Sequence, residues 1–265
     1  MSSHITLDVS DGIGTITFNR PEARNALSDD MRQGLSEFTH RMEFDSDVRC
    51  VVLRGAGGHF MAGGDIKTFK ARERMEPIER KATIVRSIHD LHFAIYRLRR
   101  MPKPIVCAVQ GAAAGAGLSL VAACDMAVAA ESAFFTLAYA RIGVSPDGSS
   151  TYFLPRTLGM KRAFEMMYLA DRFDARKALE WGLVNSVVPD AELDDAVSEL
   201  AHRLANGPTY AYARGKALLN SSLHETLESQ LELEGYAIGD CMMTADHIEG
   251  VTAFVEKREP VFQGK

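Results

Sequence analysis

The chain has 265 residues, 46% of them hydrophobic and 25% charged, an ordinary globular balance that excludes wholesale disorder. A net charge of −5 gives no electrostatic support for binding a nucleic-acid backbone. Four scattered cysteines form no Cys-x-x-Cys pair and have no histidine at ligand spacing, which argues against a zinc site and points to reduced thiols in the cytoplasm.

The first residues, Met-Ser-Ser-His-Ile, lack the basic and apolar regions of a signal peptide. Residues 5–9 and 13–18 alternate around Asp11-Gly12, which predicts a β-hairpin. Ser28 followed by Asp29, Asp30 and Met31 predicts a capped helix running to about Phe44. Residues 48–53 read as a short apolar strand, ended by Gly55-Ala56-Gly57-Gly58. Ile84, Ile88, Leu91, Ile95 and Leu98 recur at spacings of four and three and mark the buried face of a long helix, which Pro102 and Pro104 terminate.

Residues 105–109 form the next strand, followed by a loop over 111–117 and a short buried helix ending near Cys124. Residues 104–124 carry no charge and approach the length of a membrane span. Gln110, three glycines and the adjoining Asp125 favour two buried elements joined by a glycine loop instead. Further short strands are expected over 126–129 and 134–137, and after 183–188 the pattern is helical from about Ala191 to the end, broken at Gly207-Pro208. The predicted organisation is a mixed α/β core over residues 1–190 and a helical region over 191–265, with no flexible linker between them.

Glycine loops that open helices expose unpaired backbone N–H groups, which bind anions or developing oxyanions. Two occur here, Ala62-Gly63-Gly64-Asp65-Ile66 and Gly115-Ala116-Gly117-Leu118, although tight packing alone also explains such small residues. The second lacks the third glycine of a dinucleotide fingerprint, and no phosphate-binding GxxxxGK[ST] loop exists. Asp147, in Pro146-Asp147-Gly148-Ser149-Ser150, precedes an apolar helix. It is either that helix's N-cap or, because Ser149 or Ser150 would cap as well, a carboxylate free for chemistry.

Phe60-Met61-Ala62-Gly63-Gly64-Asp65-Ile66-Lys67 resembles the signature of the crotonase superfamily, the enoyl-CoA hydratases/isomerases. Further matches follow in order: Asn19-Arg20-Pro21 with Asn25-Ala26-Leu27, Lys103-Pro104-Ile105, the 111–117 loop ahead of Cys124-Asp125, the segment 178–184, and the segment 250–258. They span essentially the whole chain. The similarity is closest to isomerase-type members, the ring-epoxide isomerases of phenylacetate breakdown among them, which share the glycine-rich loop and a Pro-Asp-Gly segment. The resemblance implies an α/β crotonase fold, a spiral of strand-strand-helix turns with a C-terminal helical region that assembles trimers or dimers of trimers. It also implies an acyl-CoA substrate, with coenzyme A as part of the substrate and no separate cofactor, no metal, and neither nucleic acid nor membrane as partner.

Carried over by position, the resemblance implies that the Gly64 and Ala116 N–H groups form an oxyanion hole for the thioester carbonyl. The two glutamates of the family's hydratases are replaced by Ser119 and Tyr139, and Asp147 corresponds to the single catalytic carboxylate of the isomerase-type members. The reaction so implied is conversion of a 3-enoyl to a 2-enoyl thioester, with Asp147 carrying the proton. The alternatives are a hydratase, a CoA binder without turnover, and a hydrolase resembling the dehalogenases of the family. The hydrolase would use Asp147 as nucleophile and His92 to activate water. By its spacing from Ile88 and Ile95, His92 is expected to face inward, either in that role or as a buried partner of Asp147. Tyr139 stands where those dehalogenases carry a tryptophan. The substrate-binding set implied is Arg24, Ala26, Ala62, Asp65, Ile66, Lys67 and Tyr139, joined by Phe254 and Lys257 of the C-terminal region, often of a neighbouring subunit.

Overall fold

A computed structural model describes residues 4–265. The chain opens with the hairpin β1 (Ile5–Ser10) and β2 (Ile13–Phe18), turned through Asp11 and Gly12, both at positive φ as a tight hairpin turn requires. Helix α1 (Asp29–Phe44) starts where Ser28 Oγ accepts the Met31 N–H at 3.2 Å. It returns the chain to β3 (Cys50–Gly55), parallel to β2. Helices α2 (Ile66–Arg72) and α3 (Pro77–Arg100) lead to β4 (Ile105–Val109), parallel to β3. Then β5 (Ala112–Ala114) and the buried helix α4 (Ala116–Ala123) precede β6 (Met126–Ala130), parallel to β4.

The remainder of the core comprises β7 (Phe134–Thr136), α5 (Ser150–Leu158), α6 (Met160–Leu169), β8 (Phe173–Asp174), α7 (Ala175–Glu180) and β9 (Ser186–Val188). Four helices follow: α8 (Leu193–Ala205), α9 (Thr209–Ser221), α10 (Leu227–Met242) and α11 (Ala245–Glu256). The larger sheet runs β1-β2-β3-β4-β6-β9 and the smaller β5-β7-β8. β4 reads as a continuous apolar run, and β3 does so up to Arg54, because parallel strands are buried on both faces.

One face of the large sheet meets a core that includes Phe18, Met31, Leu35, Leu53, Leu98 and Phe135. The other face is closed by α8, whose Val197, Ala201 and Ala205, one helical turn apart, pack on Ile13, Val52, Val106 and Val128. The helical region from residue 191 therefore begins inside the core, whereas α9 packs on α3 and α10. The uncharged run 104–124 resolves into β4, β5 and α4, and no helix of the described residues is long and apolar enough to cross a membrane.

Two differences from the sequence expectations have simple causes. β5 and β8 are short pieces without alternation, Ala112-Ala113-Ala114 above all, so periodicity carries no signal for them. The last helix stops at Glu256 rather than at the chain end, because Lys257 takes the left-handed conformation and caps it. The tail beyond is pinned by the Asp246 carboxylate, which accepts the N–H groups of Gln263 at 2.6 Å and Gly264 at 2.8 Å.

Candidate active site

The two glycine loops lie side by side. Leu27 N donates to Gly63 O at 2.7 Å and Asp65 N to Leu27 O at 3.3 Å, so Gly64 is held in register with the chain ahead of α1. Met61 bridges to β5, its N–H donating to Ala112 O and its carbonyl accepting from Ala114 N, both at 2.9 Å. A Cβ built on Gly115 would stand 3.6 Å from Gly63 Cα. Gly117 permits α4 to abut the first loop: a Cβ there would meet Met61 O at 2.4 Å, so any larger residue must push the helix away. Ala116 opens α4, and Gly64 precedes the N-cap of α2. Among the described residues, neither the Gly64 nor the Ala116 N–H has a protein acceptor. Two free backbone donors on adjoining loops are what a developing oxyanion needs.

Side chains brace this arrangement. Asp65 caps α2, accepting from Lys67 N at 2.9 Å and Thr68 N at 3.4 Å, and pairs with Arg20 at 3.0 Å. Burial works against its charge, but these partners hold its carboxyl below the usual carboxylate range. Asn25, fully buried, accepts from Arg20 N and donates to the carbonyls of Ala56 and His59. His59 Nδ1 accepts the Ala112 N–H at 3.1 Å. Burial and then the charge of Arg24 lower its pKa, which suits a neutral acceptor. The ring of Phe69 on α2 lies over Gly64, 2.7 Å from where a Cβ would be.

Asp147 stands on the loop before α5. Its carboxylate does not cap that helix: α5 is preceded by Ser149 at positive φ with no side-chain cap. Instead Tyr139 Oη donates to Asp147 Oδ1 at 2.6 Å. Ser119 on α4, fully buried, lies 3.2 Å from Tyr139 Oη, 3.1 Å from the Asp147 carbonyl and 3.2 Å from the Gly115 carbonyl. Ser150 donates through both N and Oγ to the same Asp147 carbonyl. Gly148 makes the contact tight, since a Cβ there would stand 2.9 Å from Ser119 Cβ. Burial, and next the Asp147 charge, push the Tyr139 hydroxyl well above its ordinary pKa, so it remains a donor.

His92 does not join this group. It is exposed, and no hydrogen bond or ion pair links it to Asp147. The buried stripe of α3 is Leu91, Ala94, Ile95 and Leu98; at 3.6 residues per turn His92 lies roughly a third of a turn off its centre, so the inward expectation is corrected. Ala26 and Ala62 are half-buried, while Arg24, Ile66 and Lys67 are exposed. Phe254 and Lys257 are exposed on α11 and at its end. Among the described residues no cluster of three or more His, Cys, Asp or Glu is arranged to hold a metal.

Sequence reasoning missed the bracing by Asn25, Arg20 and His59 and the hydrogen bond from Tyr139 to Asp147. Eight residues separate that pair, with no helical or strand period to signal contact. A family model described as enoyl-CoA hydratase/isomerase matches residues 8–265. The chain is 38% identical over 266 residues to a 1,2-epoxyphenylacetyl-CoA isomerase of Escherichia coli (strain K12), covering all of both chains. It is 36% identical over 234 residues to 4-chlorobenzoyl coenzyme A dehalogenase-1 of an Arthrobacter species, covering 87% of this chain and 83% of that one. The crystal structure of an enoyl-CoA hydratase from Polaromonas sp. JS666 superimposes with a TM-score of 0.92 at 34% identity, covering 98% of this chain and 99% of that one.

Proposed function

The chain belongs to the enoyl-CoA hydratase/isomerase family, and from that premise we propose that it isomerises an enoyl-CoA, moving a 3,4 double bond into conjugation with the thioester. One observation carries the reading: the Asp147 carboxylate accepts a hydrogen bond from the Tyr139 hydroxyl, and that hydroxyl in turn meets Ser119 on α4, so its hydrogen-bonded neighbours are hydroxyls and not a second carboxylate. Hydration needs a second acid–base group to hold and activate water, whereas a double-bond shift needs one group that takes a proton and returns it.

In this reading the thioester oxygen accepts the Gly64 and Ala116 N–H groups. Asp147 takes a proton from C2: the C–H bond breaks, an O–H bond forms on the carboxyl, and the electron pair passes into a dienolate. Each backbone donor aimed at that oxyanion is worth roughly 3–4 kcal/mol. The same proton then goes to C4, the O–H bond breaks, and the conjugated 2-enoyl thioester results with the carboxylate restored. The electrons balance without water or a separate cofactor.

Coenzyme A carries phosphates, and the exposed Arg24 and Lys67 beside the first loop suit them. Phe254 and Lys257 would come from a neighbouring subunit. Exposed Tyr236, Ile238, Met242, Ile248 and Val251 on α10 and α11 supply apolar surface for a homotrimer or dimer of trimers. The resemblance to a dehalogenase supports a hydrolytic reading less well, because His92 is exposed and makes no hydrogen bond to Asp147.

The test is to add a 3-enoyl-CoA to the purified protein and follow the ultraviolet absorbance of the conjugated thioester. A rise that disappears in Asp147→Asn is expected. No rise, with turnover of a 2-enoyl-CoA or a halobenzoyl-CoA instead, would replace isomerisation by hydration or dehalogenation.

A further inference from the structure

We propose that Tyr139 is a positioning residue that divides the labour between the two oxygens of Asp147, occupying Oδ1 and leaving Oδ2 as the only proton carrier. This rests on the reading of Asp147 as the base. At 2.6 Å the Tyr139 hydroxyl makes a charge-assisted hydrogen bond to Oδ1. Among the described residues Oδ2 receives none. A carboxylate whose two oxygens were equally free would rotate about χ2 and present either one. Here rotation by half a turn would have to exchange the tyrosine bond, so one oxygen faces the reacting carbon throughout.

The arrangement is built rather than incidental. Tyr139 Oη is held in place by Ser119, which is fully buried and also reaches the carbonyls of Gly115 and Asp147. Gly115 immediately precedes the Ala116 donor, so one hydroxyl ties the oxyanion loop to the loop bearing the base. The Tyr139 ring itself packs on Gly115, with Cζ 3.9 Å from where a Cβ would stand. Burial keeps the phenol protonated, so it donates and does not compete for the substrate's proton.

A donor to Oδ1 fixes which oxygen faces the substrate, so its removal lets the carboxylate turn and costs turnover rather than binding. In Tyr139→Phe kcat is expected to fall by about tenfold. KM for the thioester should stay within about twofold, because the ring is retained. Ser119→Ala, which leaves the Tyr139 bond to Oδ1 in place while removing bonds to the tyrosine oxygen and to the carbonyls of Gly115 and Asp147, should lower kcat by less than Tyr139→Phe does. A 3-fluorotyrosine installed at position 139 keeps the hydroxyl donor and should keep kcat above that of Tyr139→Phe.

A second readout needs no turnover. The 13C carboxyl resonance of Asp147, assigned by its loss in Asp147→Asn, should be displaced at fixed neutral pH in Tyr139→Phe, because the hydrogen bond to Oδ1 is lost. A protein without isomerase activity would overturn the proposed reaction while leaving this resonance fully informative. An unmoved resonance in Tyr139→Phe, or an equal displacement in Ser119→Ala, would overturn the role assigned to Tyr139.

Discussion

Lys216 Nζ on α9 lies 2.7 Å from Asp125 Oδ2, and the same ammonium donates to the carbonyls of Leu98 at 2.8 Å and Lys103 at 3.1 Å. One side chain thus fastens the helical region to the end of α3, the start of β4 and the turn after α4. Burial pushes the Asp125 carboxyl up and the Lys216 amine down, while their mutual attraction favours the charged form of each.

Removing one partner leaves the other charge without compensation. Lys216→Met should destabilise the fold by about 3 kcal/mol, the low end for a buried pair because Asp125 is partly exposed. Urea unfolding measures this. Adding Asp125→Asn to that variant should recover part of the loss, since no lone carboxylate then remains.

Asp147→Asn should lower kcat for double-bond migration by about 10²–10⁴, the usual contribution of a general base. KM should change little, because the thioester oxygen is held by backbone. A stopped assay with excess 3-enoyl-CoA and a Michaelis analysis of both proteins separates the two parameters.

His92→Ala tests the exposure of that residue. Isomerisation should be unchanged within about twofold, as for a surface substitution away from the chemistry. A loss of a hundredfold or more would return His92 to the reaction and favour the hydrolytic alternative.

Gly117→Ala introduces a Cβ that would lie 2.4 Å from Met61 O. Helix α4 must retreat, taking the Ala116 N–H out of line with Gly64. The expected signature is a fall in kcat of about 10²-fold, comparable to removal of one oxyanion donor. Thermal unfolding should drop as well, by about 1–3 kcal/mol for overpacking.

His59 gives a pH prediction. Burial, then Arg24, lowers its pKa below the ordinary 6.5. A group depressed in the fold binds its proton more readily in the unfolded chain. Stability is therefore full above pH 6.5 and is lost as pH falls through the folded-state value. Melting temperature measured between neutral and mildly acidic pH should decline in the unaltered protein. His59→Asn, which keeps an acceptor for the Ala112 N–H, should show a shallower decline.

The elements most legible in the sequence are those whose signal is local. The hairpin at Asp11-Gly12, the helix capped by Ser28 and the stripe of α3 each arise from neighbours within a few positions, and each appears in the structure. The glycine loops were legible too, because small residues beside a helix start signify exposed N–H groups before any fold is known. Asp147 could be singled out as a candidate but not freed from the capping alternative, since both depend on the same local sequence.

Only the tertiary structure could decide the rest. Whether Asp147 caps α5 or meets Tyr139 depends on the 3₁₀ turn at Ala138–Ile142 folding back onto α4, which no spacing encodes. Whether His92 faces in or out depends on where the packed stripe of α3 is centred, and that is set by its neighbours α1, α4 and α9 rather than by its own periodicity. That Gly64 and Ala116 stand on adjoining loops follows from parallel strands bringing together segments 52 residues apart. Sequence determined the kinds of chemistry available, because residue type and local spacing are properties of the chain. The geometry that makes them one site came from long-range packing, which only the closed spiral supplies.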